Sequence, residues 1–349
     1  MKNQMFYTGI PTQSVGPLYF AEMRYLNKTE LSIELDAPLT TYETTLFHSV
    51  GRGAKISRLA KTLTTTVLSD MMTRSILFEA ENAYQAKQVL LNCQSKIDYF
   101  QKHVVSKQSN YARLIQIDGK IVGALLYIRL GYETGNASGH NMTTFASDKI
   151  AEAILTLYPT LKYVSVSGNF CTDKKVSSVN SILGRGKHVI AEILIPKEVV
   201  QNGLRTTPEK IVDLNIKKNL IGSVVSGGLL SANAHYANML LAFYLATGQD
   251  AANIVEGSQG ITHCEVKNGD LYFSVSLPNI IIGSVGHGKD AFDATKNLES
   301  LHVNDEFGAQ KLAQIAAALV LCGELSLMAA LTNTNELTQS HKRIERKQR

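Results

Sequence analysis

SILFEA (75–80), ENAYQAKQVLLNCQSKIDYFQK (81–102), YARLIQI (111–117), IVGALLYIRL (121–130), DKIAEAILTLY (148–158) and KYVSV (162–166) follow one another along the chain. The first, third, fourth and last are short and rich in β-branched and aromatic residues, as strands are. The second places Ala83, Ala86, Val89, Leu90, Cys93 and Ile97 at helical spacing, and the fifth does the same with Ile150, Ile154, Leu155 and Leu157. Asp118–Gly119–Lys120 reads as the turn between the two central strands. The order β-α-β-β-α-β predicts a ferredoxin-like unit.

The flanks read differently. Ala234–Thr247 and Gln310–Thr332 carry long helical patterns, and His263–Lys267 and Leu271–Leu277 form a hairpin across Asn268–Gly269–Asp270. PNIIIGSVGHG (278–288) is a strand running into a glycine loop. The expectation is an α+β protein in which a small domain, 76–165, is inserted into a larger helix-rich one made of 1–75 and 166–349.

Composition narrows the function. The chain has 349 residues, 44% apolar and 19% charged, which suits a globular protein and excludes a disordered one. The nearest approach to the roughly 18–20 apolar residues of a membrane helix is Ile315–Gly323, bounded by Gln314 and Glu324. MKNQMFYTGIP lacks the apolar core of a secretory signal, so a soluble, cytoplasmic protein without a membrane is expected. The net charge is +5, but HKRIERKQR (341–349) carries five cations and one anion, leaving +1 for the rest. A basic nucleic-acid footprint is thereby excluded. Cys93, Cys171, Cys264 and Cys322 are far apart, without metal-ligand spacing, so reduced thiols are expected and no metal.

Reactive residues concentrate in four places. In PLTTYETTLFHSVGRGAK (38–55), Glu43 stands in a Thr-rich stretch before Arg52. A desolvated carboxylate there would keep its proton as a general acid must, whereas a solvated one is an ordinary surface Glu. In VSVSGNFCTDKKVSSVN (164–180), Asp173, Lys174 and Lys175 suit an anionic substrate and a developing oxyanion, or form a solvated loop cluster. In HYANMLLAFYLATGQDAAN (235–253), Asn238 lies on a helix and Asp250 follows the break at Gly248, either as a helix cap or as a functional carboxylate. The fourth, SLMAALTNTNELTQSHKRIERK (326–347), puts His341 after the last helix. GNASGHNM (135–142) and GSVGHG (283–288) are either ordinary turns or places where backbone approaches phosphates or a flat ring, without the GxGxxG of a Rossmann turn.

Taken in order, PLTTYETT, MTR (72–74), SGNFCTDKK, GRGKHVIAEILIP, KKNLIGS, NAHYAN, TGQDAANIVEGSQ, PNIIIGSVGHG, GELSLMAAL and QSHKR closely resemble the 3-hydroxy-3-methylglutaryl-coenzyme A (HMG-CoA) reductase family. The resemblance spans nearly the whole chain and leans to its biosynthetic, class I-like soluble form. It implies reduction of HMG-CoA to mevalonate and coenzyme A with NADPH, NADH remaining possible. By position, Glu43, Lys174, Asp250 and His341 match the family's catalytic residues. Arg74, Ser167, Asp173, Lys175 and Lys218 match those holding the hydroxymethylglutaryl group, Asn238 a partner near the thioester, and Arg52 a residue on the coenzyme A side. The inserted unit matches the small dinucleotide-binding domain, with Asn110, Asn136, Ser138, Gly139, His140 and Asn141 on its cofactor side. Asn110 and Asn136 depart from the residue types the family has there. The family's active site lies between subunits, so a dimer or larger assembly is implied. Two other outcomes share this resemblance: NAD-dependent mevalonate oxidation, and a catalytically weak acyl-coenzyme A-binding paralogue.

Overall fold

Among the described residues there are nine strands, β1 (Thr12–Arg24), β2 (Thr29–Thr40), β3 (Thr64–Glu79), β4 (Arg113–Val122), β5 (Leu125–Glu133), β6 (Lys162–Val166), β7 (Gly186–Ile195), β8 (Ile261–Lys267) and β9 (Asp270–Ile280). Helix α1 (Thr45–Ala60) follows β2, and α2 (Ala83–Ser95), α3 (Ile97–His103) and α4 (His140–Leu157) lie in the 76–165 stretch. This computed structural model describes residues 8–228, 230–286, 288–289 and 291–345, without the side chains of Phe292, Ser340, His341 and 343–345.

β3 joins two sheets. As far as Met71 it pairs antiparallel with β7, and its first residues run parallel to β1, in a sheet ordered β2-β1-β3-β7-β9-β8. From Met72 onward it lies between β5 and β6, in the order β4-β5-β3-β6. That second order, with α2 and α4 as the crossovers, is the ferredoxin-like one read from the sequence. Where β3 changes sheets, Asp70 faces Lys187 across the ladder and their side chains pair at 3.1 Å, nearly out of water.

Each sheet has its own apolar core. Ile76, Phe78, Ala86, Val89, Leu126, Ile128, Ile150 and Ile154 fill the smaller one. The larger is built on the Gly308–Leu331 helix, whose Leu312, Ile315, Leu319 and Cys322 are completely or almost completely buried. Each such Leu or Ile contributes about 1.5–3 kcal/mol by leaving water. By length and composition alone this helix could cross a membrane, but 94% of its most apolar stretch is buried inside the protein, as in a core helix.

Three local expectations change. The Asp118–Gly119–Lys120 turn is part of β4, which reverses at Gly123 and Ala124 instead. A side chain at Gly119 would meet Leu90 of α2 at 2.5 Å, so this glycine serves helix–strand packing and not a turn. The 81–102 helix breaks at Lys96 into α2 and α3, which buries Cys93 and Phe100 together. The Ala234–Thr247 helix begins only at Tyr236, because His235 has the extended φ of −162° as its cap; the N–H groups of Ala234 and His235 donate to the buried Glu324 carboxylate at 2.5 and 3.1 Å.

Helix α1 and the Gly308–Leu331 helix touch backbone to backbone. A Cβ at Gly53 would lie 2.3 Å from the Cys322 carbonyl oxygen. Gly53→Ala must therefore push the helices apart, and is expected to cost about 1–3 kcal/mol. Thermal melting of the two proteins checks this; an unchanged midpoint would show that the contact is not tight.

Candidate active site

The loop from Ser167 to Lys175 holds four of the candidate residues, Ser167, Asp173, Lys174 and Lys175, and is bent against backbone preference. Ser167, Asn169, Thr172 and Lys174 all have positive φ, at 95°, 59°, 45° and 55°. Each such residue costs about 1–2 kcal/mol. Interior hydrogen bonds hold the shape. Ser75 of β3 accepts from the Ser167 N–H at 2.7 Å through its carbonyl and from the Phe170 N–H at 3.2 Å through its hydroxyl. Asn180 Nδ2 donates to the Thr172 carbonyl at 3.1 Å, and the hydroxyls of Thr172 and Ser177 share a hydrogen bond of 2.7 Å.

Charges then converge on the loop's end. Asp173 accepts from Arg185 at 2.7 Å, with Arg74 at 3.8 Å and His140 Nε2 at 4.0 Å. Burial pushes Asp173 upward, but Arg185, His140 and Arg74 outweigh it and hold the carboxyl below its usual range. The neighbouring Lys174 ammonium meets Asp250 Oδ2 at 2.6 Å. That hydrogen bond raises the Lys174 pKa. For Asp250, burial acts upward but is outweighed by Lys174 and by the Ala252 N–H, so both groups stay charged. Asp250 is also the cap of a short 3₁₀ turn, accepting from Ala252 at 3.1 Å, so the capping reading holds, whereas the burial expected of a functional carboxylate there is absent in the single chain.

Glu43 lies elsewhere. It is exposed, and Asn238 Nδ2 donates to it at 2.9 Å. Asn238 sits near the start of the Tyr236–Ala246 helix and Asp250 follows four residues past its end; the helix alone rises about 12 Å from Asn238 to Ala246 at 1.5 Å per residue. A single chain thus assembles Lys174 with Asp250, and Glu43 with Asn238, at opposite ends of one helix. The desolvation envisaged for Glu43 is absent in the single chain. Glu43 lines a cleft of about 200 Å³ together with His48, Arg52, His235 and Ser326. Arg52 pairs with Glu336 at 3.1 Å and donates to the Leu204 carbonyl at 2.6 Å, so it anchors the terminal Glu336–Glu345 helix. His341 lies on that helix and not after the last one; its side chain is outside the described residues. Lys175 is exposed and donates to the Asp173 carbonyl at 3.1 Å, and Lys218 is exposed on a helical turn beside the buried Asn219.

The glycine segments meet. GNASGHNM leads from β5 into α4, which starts at His140 with no side chain capping its first turn. A Cβ on Gly283 would lie 2.5 Å from the Ser138 nitrogen, so the two loops touch through backbone. Between them opens a cleft of about 450 Å³ lined by Ser138, Gly139, His140, Asn141, Asp250 and Lys289. Its uncapped helix N-terminus and buried cation suit an anionic, phosphate-bearing ligand. Asn136 is engaged inside the protein, donating to the Asp305 carbonyl at 2.6 Å and accepting from the Ala309 N–H at 3.0 Å. Asn110 lines a different depression with Tyr111, Arg113 and Glu133. Ser167 lines a third, with Leu77 and Tyr127.

Several charged residues at the site were not singled out by sequence. Arg185 has no exposed surface, and it donates to Thr73 as well as to Asp173. Glu256, equally buried, accepts the Lys174 backbone N–H at 3.0 Å. Lys289 donates to the Gly248 carbonyl at 3.0 Å. Arg185 and Glu256 stand inside matched strings, GRGK and NIVEGSQ, whose glycines were the only local hint.

Residues 7–346 match the family described as hydroxymethylglutaryl-coenzyme A reductase. The chain is 41% identical over 352 residues to the 3-hydroxy-3-methylglutaryl-coenzyme A reductase of Pyrococcus horikoshii, covering 99% of this chain and 83% of that protein. It is 40% identical to the reductase of Methanothermobacter thermautotrophicus, covering 90% and 78%. Among solved structures, the reductase of Streptococcus pneumoniae superposes with a TM-score of 0.72 at 16% identity, over 96% of this chain and 88% of that one. A class II structure from the same organism, bound to NADPH in open conformations, gives 0.73 at 16%, over 95% and 88%. At that identity the likeness is one of fold.

Burial pushes Lys289 down to about 8 from an ordinary value of 10.5, against the pull of Asp250. Between those two values the unfolded chain holds a proton that the folded one has released, so stability rises with pH across that window. Lys289→Met is expected to flatten this rise and to stabilise the protein at neutral pH by about 1–3 kcal/mol. Denaturant unfolding of both proteins at several pH values checks it; parallel curves would show that Lys289 is not desolvated.

Proposed function

The chain belongs to the hydroxymethylglutaryl-coenzyme A reductase family, and from that premise we propose how its own residues reduce HMG-CoA to mevalonate. The observation that carries the reading is the Lys174–Asp250 pair, 2.6 Å apart at the rim of the cleft that α4 opens onto. Ser138, Gly139, His140, Asn141 and Lys289 would hold a reduced nicotinamide dinucleotide, which when bound would supply the hydride. NADPH is the form we assign. The biosynthetic, class I-like assignment is part of this proposal and rests on the TDKK and GQDAAN strings of the chain.

Lys174 faces the negative charge that gathers on the thioester oxygen as it is reduced. Asp250 keeps the ammonium charged and aimed, so no proton need be gathered before the reaction. Arg74, Ser167, Asp173, Lys175 and Lys218 hold the substrate's hydroxymethylglutaryl group, with its free carboxylate facing the cations among them. Glu43, held by Asn238, is the acid for the alcohol oxygen. His341 protonates the departing coenzyme A thiolate, and Arg52 sets its helix in place through Glu336. Because Glu43 lies about a helix length from Lys174 in one chain, the complete site requires a second copy that brings the two together. We divide the chain accordingly into a substrate domain, 1–75 and 166–349, and a cofactor domain, 76–165, each supported by its own apolar core.

The test is oxidation of NADPH and NADH by purified protein with HMG-CoA. Two cofactor molecules consumed per thioester, faster with NADPH, is the expected result; a strong NADH preference would move the enzyme to mevalonate oxidation. Lys174→Ala should lower kcat by about 10²–10³, and unaltered turnover would remove it from the mechanism. His341→Gln should slow reduction of the thioester more than reduction of free mevaldehyde, which releases no thiolate. Equal losses on the two substrates would refute the proton-donor role.

A further inference from the structure

The segment that supplies Asp250 grips Lys174 at both ends. Asp250 takes the ammonium, and six residues later Glu256 Oε1 accepts the Lys174 backbone N–H at 3.0 Å. The same oxygen accepts from Asn253 Nδ2 at 2.9 Å and lies 3.7 Å from Arg185 Nε, the arginine that holds Asp173. Glu256 and Arg185 have no exposed surface. We propose that Glu256 is a positioning residue for Lys174, fixing the left-handed backbone from which the ammonium reaches the reacting oxygen. The proposal rests on Lys174 as the charge-stabilising group.

The physical argument is one of reach. Lys174 has a φ of 55°, a conformation its own side chain disfavours. Relaxation to negative φ would redirect the side chain and draw its ammonium away from Asp250. An N–H bonded to a buried carboxyl opposes that relaxation, because an unpaired donor and acceptor in the interior cost about 1–3 kcal/mol. Since Glu256 and Asp250 come from one segment, the backbone anchor and the ammonium's partner keep a fixed spacing. Burial, the largest influence on Glu256, raises its pKa despite the surrounding donors. What Lys174 takes from Glu256 is an acceptor oxygen, which a carboxyl presents whether or not it is charged.

Two substitutions separate these properties. Glu256→Gln keeps the acceptor and removes the charge; Glu256→Asp keeps the charge but withdraws the oxygen by one methylene, about 1.5 Å. The full-length enzyme should retain kcat within about threefold in Glu256→Gln. In Glu256→Asp, kcat should fall roughly 10–100-fold with little change in KM for HMG-CoA, the signature of misplaced reacting groups. A merely structural carboxyl would affect melting and both kinetic constants together in the two variants. Unimpaired kcat in Glu256→Asp, or an equal loss in Glu256→Gln, overturns the proposal. Should Glu256→Asp fail to fold, Asn253→Ala, which frees the other side of Oε1, must lower kcat at constant KM; no effect there overturns it as well. Lys174→Ala assayed alongside distinguishes the failures. If it stays active, the reading of Lys174 falls and takes this one with it; if it is inactive, an unimpaired Glu256→Asp overturns the role of Glu256 alone.

Discussion

A guanidinium with no exposed surface, that of Arg185, imposes a constraint on everything around it. Its charge cannot be neutralised by losing a proton, so the surrounding protein must compensate it. It donates to the carbonyl and hydroxyl of Thr73, to Asp173 at 2.7 Å, and lies 3.7 Å from Glu256. Thr73 stands just past the point where β3 leaves one sheet for the other. The junction of the two sheets, the Ser167–Lys175 loop and the segment after Asp250 are thereby bound to one buried ion. Breaking such a group by deleting a partner costs about 3–5 kcal/mol, comparable to the summed strain of the loop's left-handed residues. The site's geometry is consequently coupled to folding itself.

How legible this was in the sequence depends on the range of the physics. The β-α-β-β-α-β order of the inserted unit was readable because apolar periodicity is local, and β3, β5 and β6 take the places it gave them. Gly119 was misread because a glycine in a turn and one beneath a helix look identical in one dimension; only Leu90 of α2, twenty-nine positions away, distinguishes them. The late start of the Tyr236–Ala246 helix has the same origin. His235 leaves the helical backbone region there, and Glu324, on another helix, holds its N–H and that of Ala234.

The candidate site divides along the same line. Lys174 and Asp250 were picked out by matched strings, and the fold brings them to 2.6 Å. Arg185 and Glu256 lay in those strings too, yet nothing near an arginine between two glycines shows that it will be stripped of water. Asn136 shows the reverse. It belonged to the loop expected to face the cofactor, but its amide bonds Asp305 and Ala309, which are remote in sequence. Burial and partnership of polar groups are tertiary facts, and local pattern does not carry them.

The Lys174–Asp250 pair makes little sense as a stabilising contact. Its side chains are 40% and 42% exposed, and an ion pair so wet is worth about 0–1 kcal/mol. The backbone strain of the loop that presents Lys174 is several times larger, about 1–2 kcal/mol at each of its left-handed residues. The strain is therefore met by interior bonds, those of Ser75, Asn180, Arg185 and Glu256, and the ion pair is what the strained loop exists to present. Its electrostatic strength rises only when water is excluded, since the same charges interact several-fold more strongly at an effective dielectric near 20 than in bulk water. On the role proposed for Lys174, an open cleft with a preset cation suits the resting form: the geometry is fixed by the fold beforehand, and the field would become strong once bound substrate displaced the solvent.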